Sequence, residues 1–288
     1  MTVVVFGGSS QIGHYLLPQL ATRDEPVVAV SRTIRVSHPS VTWLTGRLPD
    51  DVPALNDVSA IFNFGPLQPF ADWLHRCDVP LAPRVIVTSS MSAQSKRASE
   101  VAWERELSQQ LRDGEAAVID ACAKHGCAWT ILRPTLIYGI GLDKSLTPIA
   151  RRAMRMHVFP LPAGHGLRQP VHAQDLAHAA LAALDNAASA EKILAIGGGE
   201  RLPVREMFAR VRRSLPVETL PLPLPAWLLR LARGSVGRLR GPLSRLETDL
   251  IADNTELTQL LGVQPRPFRP DPECWGLNAP ALAEKEAR

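Results

Sequence analysis

A strand-like run, Val3-Val4-Val5-Phe6, leads directly into Gly7-Gly8-Ser9-Ser10-Gln11-Ile12-Gly13, and an amphipathic stretch from His14 to Leu20 follows. Residue types in that order suit phosphate chemistry. Glycine permits a tight turn and a close backbone approach, and a helix starting there aims unpaired N–H groups at an anion. A glycine pattern alone is weak evidence; one set between a strand and a helix is far more specific. The segment predicts the phosphate turn of a dinucleotide fold, formed by Gly7, Ser9, Ser10, Gln11, Ile12 and Gly13. The competing reading is an ordinary strand-turn-helix corner.

A second group of residues bears on which dinucleotide. In such folds an acid at the end of the second strand bonds the ribose 2′-hydroxyl, whereas an arginine there accommodates a 2′-phosphate. Here Val30 is followed by Ser31 and Arg32, with Arg35 close behind and no carboxylate. Ser31 stands where the acid would be, and Arg32 could stack on adenine while pairing with phosphate. NADP(H) is therefore expected rather than NAD(H). The alternative is that Arg32 is a solvated loop residue.

Short apolar runs separated by helical patterns must position these groups. Strands are predicted at Val27–Val30, Val41–Leu44, Ala60–Phe64, Arg84–Thr88 and Ala128–Leu132, with a helix after strand four running through Trp73. A long helix, capped by Ser99, should end near Gly126. Alternation of this kind implies βαβ crossovers and a parallel sheet buried on both faces, a Rossmann-type doubly wound α/β fold. Beyond residue 140 the pattern loosens, with a strand at Ile193–Ile196 and a helix near Val204–Arg213. The expected organisation is a dinucleotide domain over 1–165, to which the chain returns near 171–196. A smaller substrate or lid lobe should occupy 197–288.

Three further segments carry a family resemblance. They are Val85-Ile86-Val87-Thr88-Ser89-Ser90, Leu132-Arg133-Pro134-Thr135-Leu136-Ile137-Tyr138-Gly139, and Arg168-Gln169-Pro170-Val171-His172-Ala173-Gln174-Asp175-Leu176-Ala177. Together with the N-terminal turn, they resemble the extended short-chain dehydrogenase/reductases of the epimerase/dehydratase kind, in order and spacing, over nearly residues 1–200. Ser10 departs from the family's middle glycine. The resemblance implies that Phe64, Ser89, Pro134 and Leu136 join the turn, Ser31, Arg32 and Arg35 in holding the cofactor. Asp175 is expected to cap the helix that follows it. His172 and His178, at i, i+6, do not share a helix face and read as a packed and a surface histidine. No metal site is expected.

The same resemblance makes one absence informative. The family's chemistry rests on Tyr-x-x-x-Lys, whose i, i+4 spacing stacks both side chains on one helix face, the lysine favouring tyrosinate. Between Ser90 and Arg133 there is no tyrosine, and the usual interval puts Leu107 and Leu111 in the two positions. Any hydride transfer needs another proton donor. Ser90 and Tyr138 are the candidates, Ser90 or Ser92 by orienting a carbonyl and Tyr138 by its place in the segment that flanks the nicotinamide. Tyr138 could equally be a packing residue. Lys144 could approach substrate or be solvated, and Arg168 could clamp an anion or pair within the fold.

The bulk composition excludes several classes. With 288 residues, 45% hydrophobic and 21% charged, the chain is ordinary for a soluble globular protein, and a net charge of +4 is too mild to argue for nucleic acid. The N-terminal apolar run lacks a basic region and cleavage site, and no apolar stretch approaches membrane-spanning length. Cys77, Cys122, Cys127 and Cys274 show no metal or disulfide spacing, so reduced thiols in a cytoplasmic protein are expected. Charge is concentrated locally: residues 201–245 hold ten arginines against Glu206 and Glu218. Within that region a Leu/Pro run from Leu220 leads to Trp227-Leu228-Leu229-Arg230-Leu231-Ala232-Arg233. This reads either as a helix covering the lobe, with Leu and Trp in the core, or as a surface meeting lipid or a lipid-like substrate.

The sequence thus predicts an atypical NADP(H)-dependent oxidoreductase or epimerase-like enzyme acting on a hydrophobic or carbonyl-bearing small molecule, with a homodimer implied by the resemblance. The rival is a catalytically silent NADP(H)-binding sensor or an assembly protein of a biosynthetic system.

Overall fold

The computed structural model describes residues 1–37, 39–77, 84–225, 227 and 246–277. Elements are numbered in chain order. The chain forms two compact units, the first comprising Met1–Thr135, Ala173–Gly197 and Ala252–Pro265.

The first unit is built on seven parallel strands: β1 (Thr2–Phe6), β2 (Val27–Ser31), β3 (Val41–Thr45), β4 (Val58–Asn63), β5 (Arg84–Thr88), β6 (Ala128–Pro134) and β11 (Lys192–Ile196). Their order is β11-β6-β5-β4-β1-β2-β3. Val4, Phe6, Ile61, Val85, Val87 and Ile131 pack with Phe70 and Leu74 of α2 (Leu67–Arg76) and Val118 and Ala121 of α4 (Ala102–His125). The alternate residues Val3 and Val5 point to the opposite face and are just as inaccessible. On α1 (Gln11–Leu20), Leu16 and Leu20 are buried, and α1 packs against α6 (Ala173–Asp185). Burial on both faces explains why these strands read as unbroken apolar runs.

Several expectations change in detail. Strand six continues through Pro134, with which Ile196 of β11 pairs, and the run at 193–196 is the sheet's seventh strand, within the stretch expected to return to the first unit. The long helix ends at Gly126, as its sequence implies, but starts at Ala102 behind Val101. Ser99 is therefore not its cap; its hydroxyl accepts from Val101 N and donates to the buried Glu104 carboxylate at 2.6 Å. Asp175 lies inside the first turn of α6, buried, and not at its cap position. The division also differs from a break at 165. Residues 252–265 return to the first unit because α8 (Thr255–Leu261) packs on β11. Just before it, Asn254 brackets Gly197, accepting from its N and donating to its O.

The second unit comprises Leu136–His172, Gly198–Ile251 and the residues from Arg266 onward. It contains three two-stranded pairings: β7 (Ile137–Tyr138) with β10 (Val171–His172), β9 (Leu167–Arg168) with β12 (Leu202–Pro203), and β8 (Val158–Pro162) with β13 (Leu220–Leu224). Helices α5 (Leu146–Met156) and α7 (Val204–Arg213) cover them. Its core joins Leu146, Ala150, Phe159, Met207 and Phe268 to the fully buried Trp275, whose indole N–H donates to Ser214 Oγ at 2.9 Å. Of the C-terminal helical stretch read from the sequence, only Trp227 lies within the described residues. All four cysteines are free thiols, and burial pushes Cys122 and Cys274 up to about 12, which keeps them protonated.

Two ion pairs of similar length differ greatly in weight. Arg133 meets Glu115 in a two-pronged contact at 2.8 and 2.5 Å, and the Glu115 side chain is only 4% exposed. The hydrogen bond to Glu115 raises the Arg133 guanidinium above its ordinary pKa. Arg23 and Asp185 make an equally short pair, but both side chains reach solvent. Removing one partner of a buried pair strands the other charge, whereas exposed pairs contribute little. Glu115→Ala is therefore expected to cost about 3–5 kcal/mol and Asp185→Ala about 0–1 kcal/mol, as read by urea unfolding; equal losses would refute this ranking.

Candidate functional site

Strand order reverses direction at β1. The chain runs from β1 out to β2 and β3, then crosses back to place β4 on β1's other side. Ligands of such sheets bind beyond the carboxyl ends of the strands at this switch point. Gly7 leaves β1 with φ +77°, and a Cβ there would come within 3.1–3.3 Å of Phe64 and Gly65, which follow β4. Asn63, wholly buried, holds the β4 side, accepting from Gly65 N at 3.1 Å. The end of β4 and the glycine turn are thereby locked together.

Gly13 is where the turn admits no alternative. A Cβ on it would overlap the carbonyl group of Gly8 and lie 2.5 Å from Gly8 Cα. Ser10 supplies the helix cap: its hydroxyl accepts from Gly13 N at 3.1 Å and its carbonyl accepts from His14 N at 2.9 Å. The departure at residue 10 thus has a structural reason. The first-turn amides of Gln11 and Ile12 have no intrahelical acceptor and are left for a ligand. Gln11 is 8% exposed, and its side-chain oxygen lacks a hydrogen-bond partner. Ser9 is exposed at the turn's tip and Ile12 is buried beneath it.

At the end of β2, Ser31 is buried and its Oγ accepts from Thr33 N at 3.3 Å. Arg32 and Arg35 are exposed, and the Arg35 guanidinium lies 5.2 Å from the centroid of Trp43. Trp43 was not singled out from sequence, where it reads only as part of strand three. Its ring edge stands 3.1 Å from where a Cβ on Gly8 would be, so it walls the turn on the β2–β3 side. Parallel pairing across β1, β2 and β3 was the signal that could have placed it there.

Beyond β5, Ser89 N donates to Leu132 O and Met91 N to Pro134 O, which brings the serine pair beside Pro134. Ser89 Oγ is buried without a partner. Ser90 Oγ accepts from Ser92 N at 3.1 Å, leaving its own proton to donate. Leu107 and Leu111 are half-buried on α4. One residue on, Arg112 donates to Ala93 O at 3.0 Å and to Ser108 Oγ at 2.5 Å, a cation beside the serine loop that the sequence reading passed over.

The remaining candidates, His178 apart, belong to the second unit. Leu136 is half-buried. Tyr138 is 1% exposed, its ring edge-on to His172 and Phe268 at centroid distances of 5.0 and 4.8 Å. That is the geometry of a packed aromatic. Arg168 is buried and donates to Leu167 O and Thr248 O at 2.7 Å, so the fold uses its guanidinium. His172 is buried and His178 exposed. Among the described residues no cluster of His, Cys, Asp or Glu could hold a metal ion, and no helix is long and apolar enough to cross a membrane.

Sheet order, glycine turn and capped helix define a Rossmann-type fold of the kind found in extended short-chain dehydrogenase/reductases. Residues 108–197 match the NAD dependent epimerase/dehydratase family. Solved structures match along nearly the whole chain. UDP-glucose 4-epimerase of Thermotoga maritima aligns with TM-score 0.67 and 16% identity, over 96% of this chain and 97% of its own. UDP-glucuronic acid 4-epimerase of Bacillus cereus, solved with UDP-glucuronic acid and NAD, aligns with TM-score 0.68 and 15% identity, over 93% and 95%. UDP-N-acetylglucosamine 4-epimerase of the same organism gives 0.67 and 16%, over 96% and 94%. At such identities the likeness establishes the fold. No curated protein matches the chain by sequence.

Replacing the cap separates its two effects. Ser10→Ala should lower stability by about 1 kcal/mol and Ser10→Gly by only a few tenths, measured by denaturant unfolding. Titration calorimetry should find dinucleotide binding retained in Ser10→Gly, because the amides of Gln11 and Ile12 are untouched; abolished binding would show that the hydroxyl itself carries the phosphate.

Proposed function

We propose that the chain binds NADP(H) at the β1–β4 switch point and acts as an atypical oxidoreductase or epimerase-like enzyme on a carbonyl-bearing small molecule. The observation that carries this reading is the end of β2, where buried Ser31 replaces a carboxylate and two exposed arginines follow. The amides of Gln11 and Ile12 hold the pyrophosphate, and Arg32 and Arg35 take a 2′-phosphate, with Trp43 as the wall behind Arg35. The unpartnered oxygens Gln11 Oε1 and Ser89 Oγ support a polar ligand at this edge of the sheet, since buried polar atoms are ordinarily satisfied. Phe64, Pro134 and Leu136 complete the cofactor set.

When bound, the nicotinamide supplies hydride exchange at a carbon carrying a hydroxyl or carbonyl. Ser90, its acceptor side already engaged by Ser92 N, directs its proton to the substrate oxygen and orients it. Tyr138 serves packing. The solved relatives are epimerases of nucleotide sugars, and a carbonyl-bearing sugar derivative is the substrate class their chemistry suggests. A second reading, a silent NADP(H)-binding sensor or assembly protein, is favoured by Leu107 and Leu111 at the two acid–base positions.

Arg32→Asp is expected to weaken NADPH far more than NADH in fluorescence titration; equal losses would remove the NADP(H) assignment. With a metabolite extract, the protein should oxidise NADPH. Ser90→Ala should slow that by about 10²-fold, while Tyr138→Phe should leave it unchanged. An unaffected Ser90→Ala variant would remove Ser90 from the mechanism, and no turnover with any extract would favour the silent reading.

A further inference from the structure

The described part of the stretch beginning at Leu220 is not core. Leu220 is 71% exposed, Leu222 49% and Trp227 66%, and Met156 is 56% exposed. Met156 and Leu220 are neighbours within the second unit, Leu222 lies two residues along the same strand, and Trp227 follows three residues past its end. Leu220 N donates to His157 O at 2.8 Å, which seats the start of β13 beside the end of α5, where Met156 is the last residue. Leu220 and Leu222 share one face of β13 by strand periodicity.

Strand addition is a poor explanation for this exposure. Among the described residues β13 pairs with β8 alone, in register Leu220↔Val158 through Leu224↔Pro162. Its leucine backbone groups face β8: Leu220 N donates to His157 O, and Leu224 O accepts from Ala163 N. The outward positions are Pro221 and Pro223, which have no N–H to offer another strand. Prolines placed this way blunt an edge. The available surface consists of leucine and methionine side chains, with Trp227 exposed three residues past the strand.

Charge around it selects a partner. Arg152, Arg155 and Met156 lie at i, i+3 and i+4 on the exposed face of α5, and Arg152 Nε approaches Met156 Sδ at 3.4 Å. Glu218 is an exposed carboxylate nearby, its carbonyl 3.3 Å from His157 Nδ1. By sequence, the chain continuing after Trp227 has five arginines and no carboxylate over 228–245. Exposed leucine and tryptophan edged by arginine suit the headgroup region of an anionic bilayer, where aliphatic groups enter the acyl boundary and guanidinium groups meet phosphate. We propose that this face, Met156, Leu220, Leu222 and Trp227 with Arg152 and Arg155, docks the protein reversibly on an anionic lipid surface.

The test is co-sedimentation of the full chain with phosphatidylcholine vesicles, with and without roughly one-third phosphatidylserine. Binding to the anionic vesicles alone, weakened by salt, is expected. Neutralising Arg152 or Arg155 to Ala should each weaken binding about fivefold. The Leu220→Ser/Leu222→Ser and Trp227→Ala variants should lose most of it while keeping the parent circular dichroism and melting temperature. Failure to bind either vesicle overturns the proposal, as does binding that none of these variants changes. A concentration-dependent dimer in analytical ultracentrifugation, abolished by Leu222→Ser, would overturn it in favour of a second copy of the chain.

Discussion

The head of β1 depends on one missing atom. Gly13 lies so close to Gly8 that any Cβ would overlap the Gly8 carbonyl, and this contact sets how near α1 can start to the end of its strand. Because the helix starts there, Ser10 falls at the cap and takes Gly13's amide, and the amides of Gln11 and Ile12 are the ones left over. Gly7, in the left-handed region, turns the chain toward Phe64 and Gly65. The unpaired amides at the start of α1 are thus a consequence of steric closeness, with the electrostatics of a helix start following from it.

Holding a dinucleotide and moving a proton are physically separate tasks, and the residues expected for the first are more fully present than those expected for the second. The buried Glu115–Arg133 pair fixes α4 to β6, and the main-chain bonds of Ser89 and Met91 fix the serine loop to the same strand. On that helix, Leu107 and Leu111 can neither donate nor accept a proton. Ser90 has a free proton and a defined orientation, which suits hydrogen bonding to a substrate oxygen better than full proton transfer. Arg112, tied to Ala93 and Ser108, adds a positive charge nearby.

The second unit is arranged around aromatic packing. Tyr138 illustrates how a motif residue can serve the core: the L-R-P-x-x-x-Y-G spacing brings it to the start of this unit, where His172 and Phe268 enclose its ring. Arg168 is another such case, since two backbone carbonyls take up its guanidinium. Leu220, Leu222 and Trp227 run the other way. Their apolar character suggests a core, and all three are exposed.

Local pattern was enough to give the parallel sheet, the glycine turn and the lack of a Tyr-x-x-x-Lys pair. These follow from local periodicity, from a glycine's place between strand and helix, and from which residue types occur at all. Ser31 and Arg32 were legible for the same reason, being fixed by distance from the end of a strand. Only the tertiary structure decided what depends on neighbours far apart in the chain. Trp43 reaches the turn because β1, β2 and β3 pair in parallel, and residues 252–265 return because Asn254 finds Gly197. Gln11 and Ser89 prove unpartnered only once every nearby atom is in place. Burial and hydrogen-bond satisfaction are properties of a packed assembly, and a linear pattern fixes which side chains are available, not which of them the packing leaves free.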